Sequence, residues 1–415
     1  MKVLICNNHF NMKNTAPSNQ ISGAWITNLI QEISKDDNIE LNILMRGNFL
    51  ETTEKNGISY HVLPVNTMNR EVVALKHIHN VLNAVKPDIL HVEGTEMLFA
   101  RRVFDAFDGH KVVSIQGLVS EIAKYEFTEL NLYYFIQNKL WKAVIIYLMI
   151  RLNFYIRFYP KISNESKILT KGSNFIGRTD WDCAHLKSVN KAAKYFDCPR
   201  VISEEFMNAN WYYKNKNSTD FKVVFIGNCS TPRKGLHIAV RALILLLERN
   251  KNITVRIAGQ KPKSTRIPRY IDLVNELIKY HNVQEYIQFT GPLDRAAMAK
   301  ELMNCDAYLL PSVIENSPNT LAEAMMVGVP IVAAAVGGVP SMVQDDREAL
   351  LYRAEDSAMA AFQLERVLNS EVTSKRLSTA AKKRALSRHD VNSIKGKMKL
   401  IYSTIKFASA TKNDF

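Results

Sequence analysis

Short apolar runs of strand length, each trailed by a helical pattern, dominate this chain and fix its fold class. KVLIC, IELNILM, DILHV and KVVSI fall in the first half, and FKVVFIG, ITVRIAG, IQFTG, AYLLPS and PIVAAA in the second. Runs apolar at nearly every position suit strands buried on both faces of a parallel sheet, and the helical stretches between them supply the crossovers. The fold class is therefore α/β. Several later runs end in Gly or Pro-Ser before segments such as GLHIAVRALILLLERN and LDRAAMAKELMN. In doubly wound sheets ligands sit at the carboxyl ends of strands, so functional residues are expected just after these runs.

A break near residues 199 to 220, with Pro199 and the polar run Lys214 to Asp220, separates the two series. With 415 residues the chain exceeds one ordinary core and fits two domains of about 200 residues each. The expected division is 1–205, 206–390, and a helix over 391–415 that packs back on the first domain. The five cysteines are scattered, with no Cys-x-x-Cys pair, so neither a disulfide framework nor a zinc site is implied and a cytoplasmic setting fits. MKVLICNNHF turns polar too soon for a secretory signal and reads as a first buried strand. His77 and His79 are two residues apart on an expected helix and point in different directions, so no metal site is expected.

A net charge of +14 calls for an anionic partner: nucleic acid, an acidic membrane surface or a phosphorylated substrate. No RNA-binding signature or zinc-finger spacing is present, which argues against nucleic acid. Residues 131 to 159 are rich in aromatic and aliphatic side chains, yet the uncharged run AVIIYLMI is far short of the roughly 20 residues that span a bilayer. On a helix, Lys139, Lys142 and Arg157 share an arc of roughly 60° and Arg151 lies off it. Two readings stand: an interfacial helix resting on anionic lipid, with Trp141 and the tyrosines at headgroup depth, or a buried packing surface.

The most informative stretch is AYLLPSVIENSPNTLAEAMMVGVPIVAAAVGGVPSMV, residues 307 to 343. Ser317 stands where an N-cap would, Pro318 at the first helical position and Gly328 at the stop, which predicts a helix over 318–327. Its first amides, from Asn319, Thr320 and Leu321, and the positive end of its dipole form a docking place for a diphosphate. Glu315 precedes that place and Glu323 follows it, about 7 Å along the axis from Pro318. Carboxylates beside a phosphate are unfavourable unless they accept hydroxyls, so sugar hydroxyls are their natural partners; the alternative is a capping acid and a solvated surface acid.

With Glu315, seven residues, Glu323, then AEAMMVGVPIVAAAVGGVP, and LLPS upstream, the sequence resembles the family 4 glycosyltransferases, retaining enzymes of the GT-B fold. The resemblance extends through FTGPLDRAAMAKELMNCDAYLLPS and VVFIGNCSTPRKGLHIAVRAL, covering roughly 221 to 352. The N-terminal half is similar only through its opening strand, the Gly23 loop and VVSIQG. What the resemblance implies is two Rossmann-like doubly wound domains facing a central cleft, acceptor-side over 1–205 and nucleotide-sugar donor-side over 206–390.

The resemblance further implies that Glu323 binds the ribose of the nucleotide, Glu315 contacts the transferred sugar, and Asn319 and Thr320 give amides to the diphosphate, with Ser317, Gly227 and Gly291 in the donor site. Lys234 in PRKG matches the lysine that neutralises the diphosphate, with Arg233 as a second cation or both as a solvated basic turn. Asn228 replaces a frequent arginine, and Gln116 replaces a histidine that contacts the donor sugar in many members. Gly23 either lets backbone approach a ligand or opens a helix, and Gly337 with Gly338 makes a tight turn. Glu93 and Glu96 are either acceptor-rim acids or solvated, and Arg178 and Asp180 in IGRTDWD carry no assigned chemistry.

The expected activity is metal-independent, retaining transfer from a UDP- or GDP-sugar to a saccharide or polyprenyl-linked acceptor, without a cofactor, at the inner membrane face in surface polysaccharide biosynthesis. An epimerase or phosphorylase of the same fold is the alternative among enzymes, and a non-catalytic basic protein binding membrane or nucleic acid the alternative outside them.

Overall fold

The computed structural model describes residues 1–7, 24–65, 72–127, 143–214, 221–227, 231–261 and 270–407. Gly23, Asn228, Lys139, Trp141 and Lys142 lie outside the described residues. The chain divides into two compact units: one from Met1–Ser120, Ile156–Val201 and His389–Phe415, the other from Glu121–Tyr155 and Ile202–Arg388.

The described residues of the first unit form an eight-stranded sheet. Its strands are β1 (Lys2–Asn7), β2 (Glu40–Gly47), β3 (Glu51–Lys55), β4 (Ile58–Pro64), β5 (Ile89–Glu93), β6 (His110–Ser114), β7 (Asn174–Gly177) and β8 (Lys194–Asp197). They run in the order β3-β4-β2-β1-β5-β6-β7-β8, and the pairings are parallel except β3 with β4. That exception is a hairpin closed by Asn56 and Gly57, both at positive φ (52° and 72°), as a two-residue turn requires.

Strand alternation builds a core on each face of this sheet. Leu4 and Cys6 pack with Val81, Leu82 and Phe99 on one side, while Val3 and Ile5 pack with Ile26 and Ile30 on the other. The second face is completed by the helix Val391–Phe407, whose Ile394, Met398, Ile401, Tyr402 and Ile405 recur at helical spacing and are buried.

In the second unit β9 (Lys222–Ile226), β10 (Ile253–Ile257), β11 (Ile287–Phe289), β12 (Ala307–Leu310), β13 (Ile331–Ala334) and β14 (Leu350–Tyr352) form an all-parallel sheet in the order β11-β10-β9-β12-β13-β14. The helix Leu236–Leu247 after β9 buries nine of its twelve residues, which is why its sequence is apolar nearly all round. Winding outward from β9 and returning at β12 makes the carboxyl ends of β9 and β12 the switch point of this sheet, where open α/β sheets bind ligands. In the first unit the same reversal falls between β1 and β5.

Candidate functional site

A pocket of about 240 Å³ opens at the β9/β12 switch point, lined among others by Gly227, Arg233, Lys234, Ser312 and Thr320. Two loops make its wall. The first, after β9, is a short 3-10 turn over Pro232–Lys234 ending at Gly235, whose φ of 74° is left-handed. A Cβ there would lie 1.8 Å from the carbonyl oxygen of Pro311, so only glycine lets this loop touch the one after β12. The Val313 amide seals the contact by donating to the Arg233 carbonyl at 2.8 Å.

With the loops fastened, Lys234 Nζ meets Glu315 Oε1, and the same oxygen accepts from Ser312 Oγ at 2.8 Å. Glu315 is only 9% exposed, so this charge is held in place rather than solvated. Its backbone is fixed as well: Gly338 N donates to the Glu315 carbonyl at 3.0 Å, and a Cβ on Gly337 would stand 2.0 Å from that oxygen. The Gly337–Gly338 turn therefore serves as the support of Glu315. Arg233, the neighbouring cation, gives Nε to Glu126 Oε1 at 2.9 Å. Arg233 and Lys234 are thus partly buried, paired groups, not a solvated basic turn.

The helix of this site runs Asn319–Val327, one residue later than expected at its start. Pro318 is the N-cap, with extended backbone (φ −66°, ψ 123°), and no side chain caps the turn. Ser317 instead turns its Oγ to Met342 Sδ at 3.6 Å. The ring fixes only φ, at a value helix and extended chain share, and here ψ is extended, so the chain enters the helix only after Pro318. Gly328 ends the helix in left-handed conformation (φ 82°), as expected. The positive end of the helix dipole thus lies beside the pocket, where Thr320 accepts from the Tyr308 hydroxyl at 2.8 Å and packs near Gly227.

Residues 220–370 match the family described as Glycosyl transferases group 1. Over this stretch the chain is similar to that family. A phosphatidyl-myo-inositol mannosyltransferase from Mycobacterium leprae is 28% identical over 184 residues, 44% of this chain and 46% of that one. The D-inositol 3-phosphate glycosyltransferase of Corynebacterium diphtheriae is 29% identical over 151 residues, 36% and 34% of the two chains. The chain therefore spans a third to a half of the length of such curated relatives. Among solved structures, sucrose-phosphate synthase from Thermosynechococcus elongatus superposes with a TM-score of 0.72 at 16% identity, covering 98% of this chain and 99% of that one. Anabaena HepE in complex with UDP-glucose superposes at 0.65 and 16% identity, covering 97% and 100%. The fold is that of the GT-B glycosyltransferases.

Within the matched stretch, Glu315, Lys234, Arg233, Thr320 and Gly227 come together, with Asn319 and Ser317 at the adjoining helix start. Glu323 lies in the helix and is half-buried. Gly291 is not in the pocket wall: it exchanges backbone hydrogen bonds with Gly259 (2.9 and 3.1 Å) beyond the ends of β10 and β11. Sequence reasoning missed Glu126 and Ser312 as partners of the cation and the acid; Gly235 was legible as a glycine closing a short turn.

In the first unit Gln116 follows β6 and donates Nε2 to Glu93 Oε2. Glu93, read as either an acceptor-rim acid or a solvated one, is the last residue of β5 and 1% exposed, so it is not solvated. Arg178, to which the sequence assigns no chemistry, is buried and gives Nη1 to the Ile115 carbonyl at 2.8 Å. The rest of IGRTDWD is a capping box, Thr179 with Asp182, at the start of the helix Asp180–Val189.

Proposed function

We propose that the protein is a metal-independent, retaining glycosyltransferase of family 4 that moves a sugar from a UDP- or GDP-linked donor to a saccharide or polyprenyl-linked acceptor. The observation that carries the reading is the Lys234–Glu315 pair beside a helix start at the β9/β12 switch point of the matched stretch. Cleaving the bond to a nucleoside diphosphate builds negative charge on the leaving oxygens. Lys234, Arg233 and the start of the helix Asn319–Val327 meet that charge where it develops. Glu315 accepts hydroxyls of the transferred sugar, Glu323 those of the ribose, with Asn319, Thr320, Ser317 and Gly227 around the diphosphate. Gly291 and Gln116 belong to the donor side in this reading, and the departing phosphate takes the acceptor proton on the same face.

UDP is supported by the HepE complex, and a lipid acceptor by the name of the mycobacterial relative. Work at an anionic inner membrane face, in surface polysaccharide synthesis, is supported by the helix Ala143–Lys171. Val144, Ile145, Leu148, Met149, Leu152, Tyr155, Ile156 and Tyr159 are all exposed along it, with Arg151 and Arg157 among them. Such a stripe suits a helix lying on lipid, and no helix of the described residues is long and apolar enough to cross a membrane.

The test is a panel of nucleotide sugars read first by thermal shift. A donor at 100 times its Kd adds about 2.7 kcal/mol. The stabilising donor is then assayed for nucleotide release with and without acceptors. Acceptor-dependent release with anomeric retention is expected; a changed free nucleotide sugar formed without acceptor would make the protein an epimerase, dependence on inorganic phosphate a phosphorylase, and silence across the panel would sink the reading.

A further inference from the structure

The first unit holds a closed chain of polar side chains at the carboxyl ends of β5 and β6. Its centre is Glu93. One carboxylate oxygen accepts from Gln116 Nε2, and the other lies 3.3 Å from His91 Nε2. His91 is wholly buried, with Nε2 2.7 Å from Ser114 Oγ and Nδ1 2.8 Å from Tyr402 Oη. A carboxylate facing Nε2 favours the tautomer protonated there, so Nδ1 accepts from the Tyr402 hydroxyl and the Ser114 hydroxyl donates to Glu93. On the far side Arg200 Nη2 donates to Gln116 Oε1.

The donor directions all agree. Arg200 points into the Gln116 oxygen, the Gln116 amide points into Glu93, and Tyr402, His91 and Ser114 point into Glu93 from behind. An amide with a guanidinium on its oxygen and a carboxylate on its nitrogen cannot flip without facing cation to N–H and anion to C=O, each of which is unfavourable. This clamp sits on Gln116, which the proposed function places on the donor side and which stands where many members of the family carry a histidine that contacts the donor sugar.

We propose that Glu93 and Arg200 are positioning residues for sugar transfer: they hold the Gln116 amide in one orientation, and the Tyr402–His91–Ser114 chain holds Glu93 in turn. This rests on the transferase reading and on Gln116 facing the sugar. Glu93 then plays no part in bond making; it fixes the direction of a hydrogen-bonding group that does touch substrate.

Burial pushes the Glu93 carboxyl up to about 7, opposed by Arg178, Arg200, Ser114 and Gln116. The other groups around it do not titrate nearby. Burial lowers His91 to about 3, raises Cys198 to about 11 and raises Cys6 and Tyr402 further, leaving Arg178 and Arg200 as the fixed cations. When Glu93 takes a proton it can itself donate, and the Gln116 amide loses the anion that orients it.

The experiment compares wild type, Glu93→Gln, Gln116→Ala and the double variant in steady-state transfer, with thermal unfolding as a control. Glu93→Gln is expected to lower kcat about tenfold with donor KM within about twofold, and the double variant to lose no more than Gln116→Ala alone. Wild-type kcat should fall as pH drops through about 7, and the variant should lack that step. Losses that multiply, or a pH profile unchanged by Glu93→Gln, overturn the positioning role while leaving the transferase standing. A wild type that no donor stabilises or that transfers nothing sinks both. Should Glu93→Gln fold poorly, Arg200→Lys, which keeps the charge and loses the fork, must show the same coupling to Gln116→Ala.

Discussion

The two sheets reverse direction in the same way, and each carries polar groups at or beside the reversal, but one set is open and the other buried. In the second unit the β9/β12 end is an open pocket in which Lys234 and Glu315 meet between two loops. In the first unit, whose reversal falls between β1 and β5, the polar groups at the ends of β5 and the next strand, β6, are closed in, and Glu93, His91 and Ser114 are sealed from solvent. Topology brings chemistry to the switch point; whether a ligand can reach it depends on the loop that leaves each strand. After β9 and β12 come turns that a glycine lets touch each other, whereas β5 itself ends in a buried carboxylate.

The two ends should differ most in rate. If the proposed function holds, Lys234→Ala is expected to lower kcat by about 10²- to 10³-fold, through loss of the charge assigned to the leaving diphosphate, and Gln116→Ala by about tenfold. Equal losses in steady-state transfer would mean that both ends contribute alike. Next comes stability: Gly337→Ala asks a side chain to occupy positive φ (49°) and to stand 2.0 Å from the Glu315 carbonyl oxygen. A cost of about 1–3 kcal/mol in urea unfolding is expected, together with lost donor binding.

A subtler difference separates the sealed cluster from the open one by pH. Glu93 has a raised folded pKa, so its contribution is full below the unfolded value of 4.5 and is lost as pH rises through about 7. His91 has a depressed one, so its contribution is present above 6.5 and lost as pH falls through about 3. Between 4.5 and 6.5 the two oppose. Removing the acid in Glu93→Gln leaves the histidine unopposed, so on going from pH 7 to 5 the variant should lose more melting temperature than wild type. Parallel curves would show that the pair is not coupled to folding. The last expected outcome is no change at all: EDTA should leave the transfer rate as it is if Lys234 and Arg233 carry the charge balance, and a rate restored only by a divalent ion would refute that role.

Much of the architecture was legible because buried parallel strands write themselves as apolar runs: KVLIC, DILHV, FKVVFIG and PIVAAA all lie on strands. The hairpin of β3 and β4 went unread although EKNGIS contains the Asn-Gly turn, because its edge strand, ETTEK, has no apolar face to announce it. The Glu315 loop and the stop at Gly328 were readable from residue type and spacing, whereas the shift of the N-cap from Ser317 to Pro318 was not, since both residues are common at helix starts. The burial of Glu93 went unread for a physical reason. A carboxylate at a strand end is usually solvated, and what makes this one tolerable underground is a set of donors from Ser114, Gln116 and two arginines scattered over roughly a hundred positions of the chain. Partners that distant leave no local pattern.

Gly235 and Gly337 make backbone contacts that a methyl group would abolish. For anyone transplanting this pocket onto another α/β scaffold, the charged side chains alone would not suffice. The blueprint has to include the missing atoms too, because the lysine and the glutamate reach each other only across backbone that two empty Cβ positions allow to come so near.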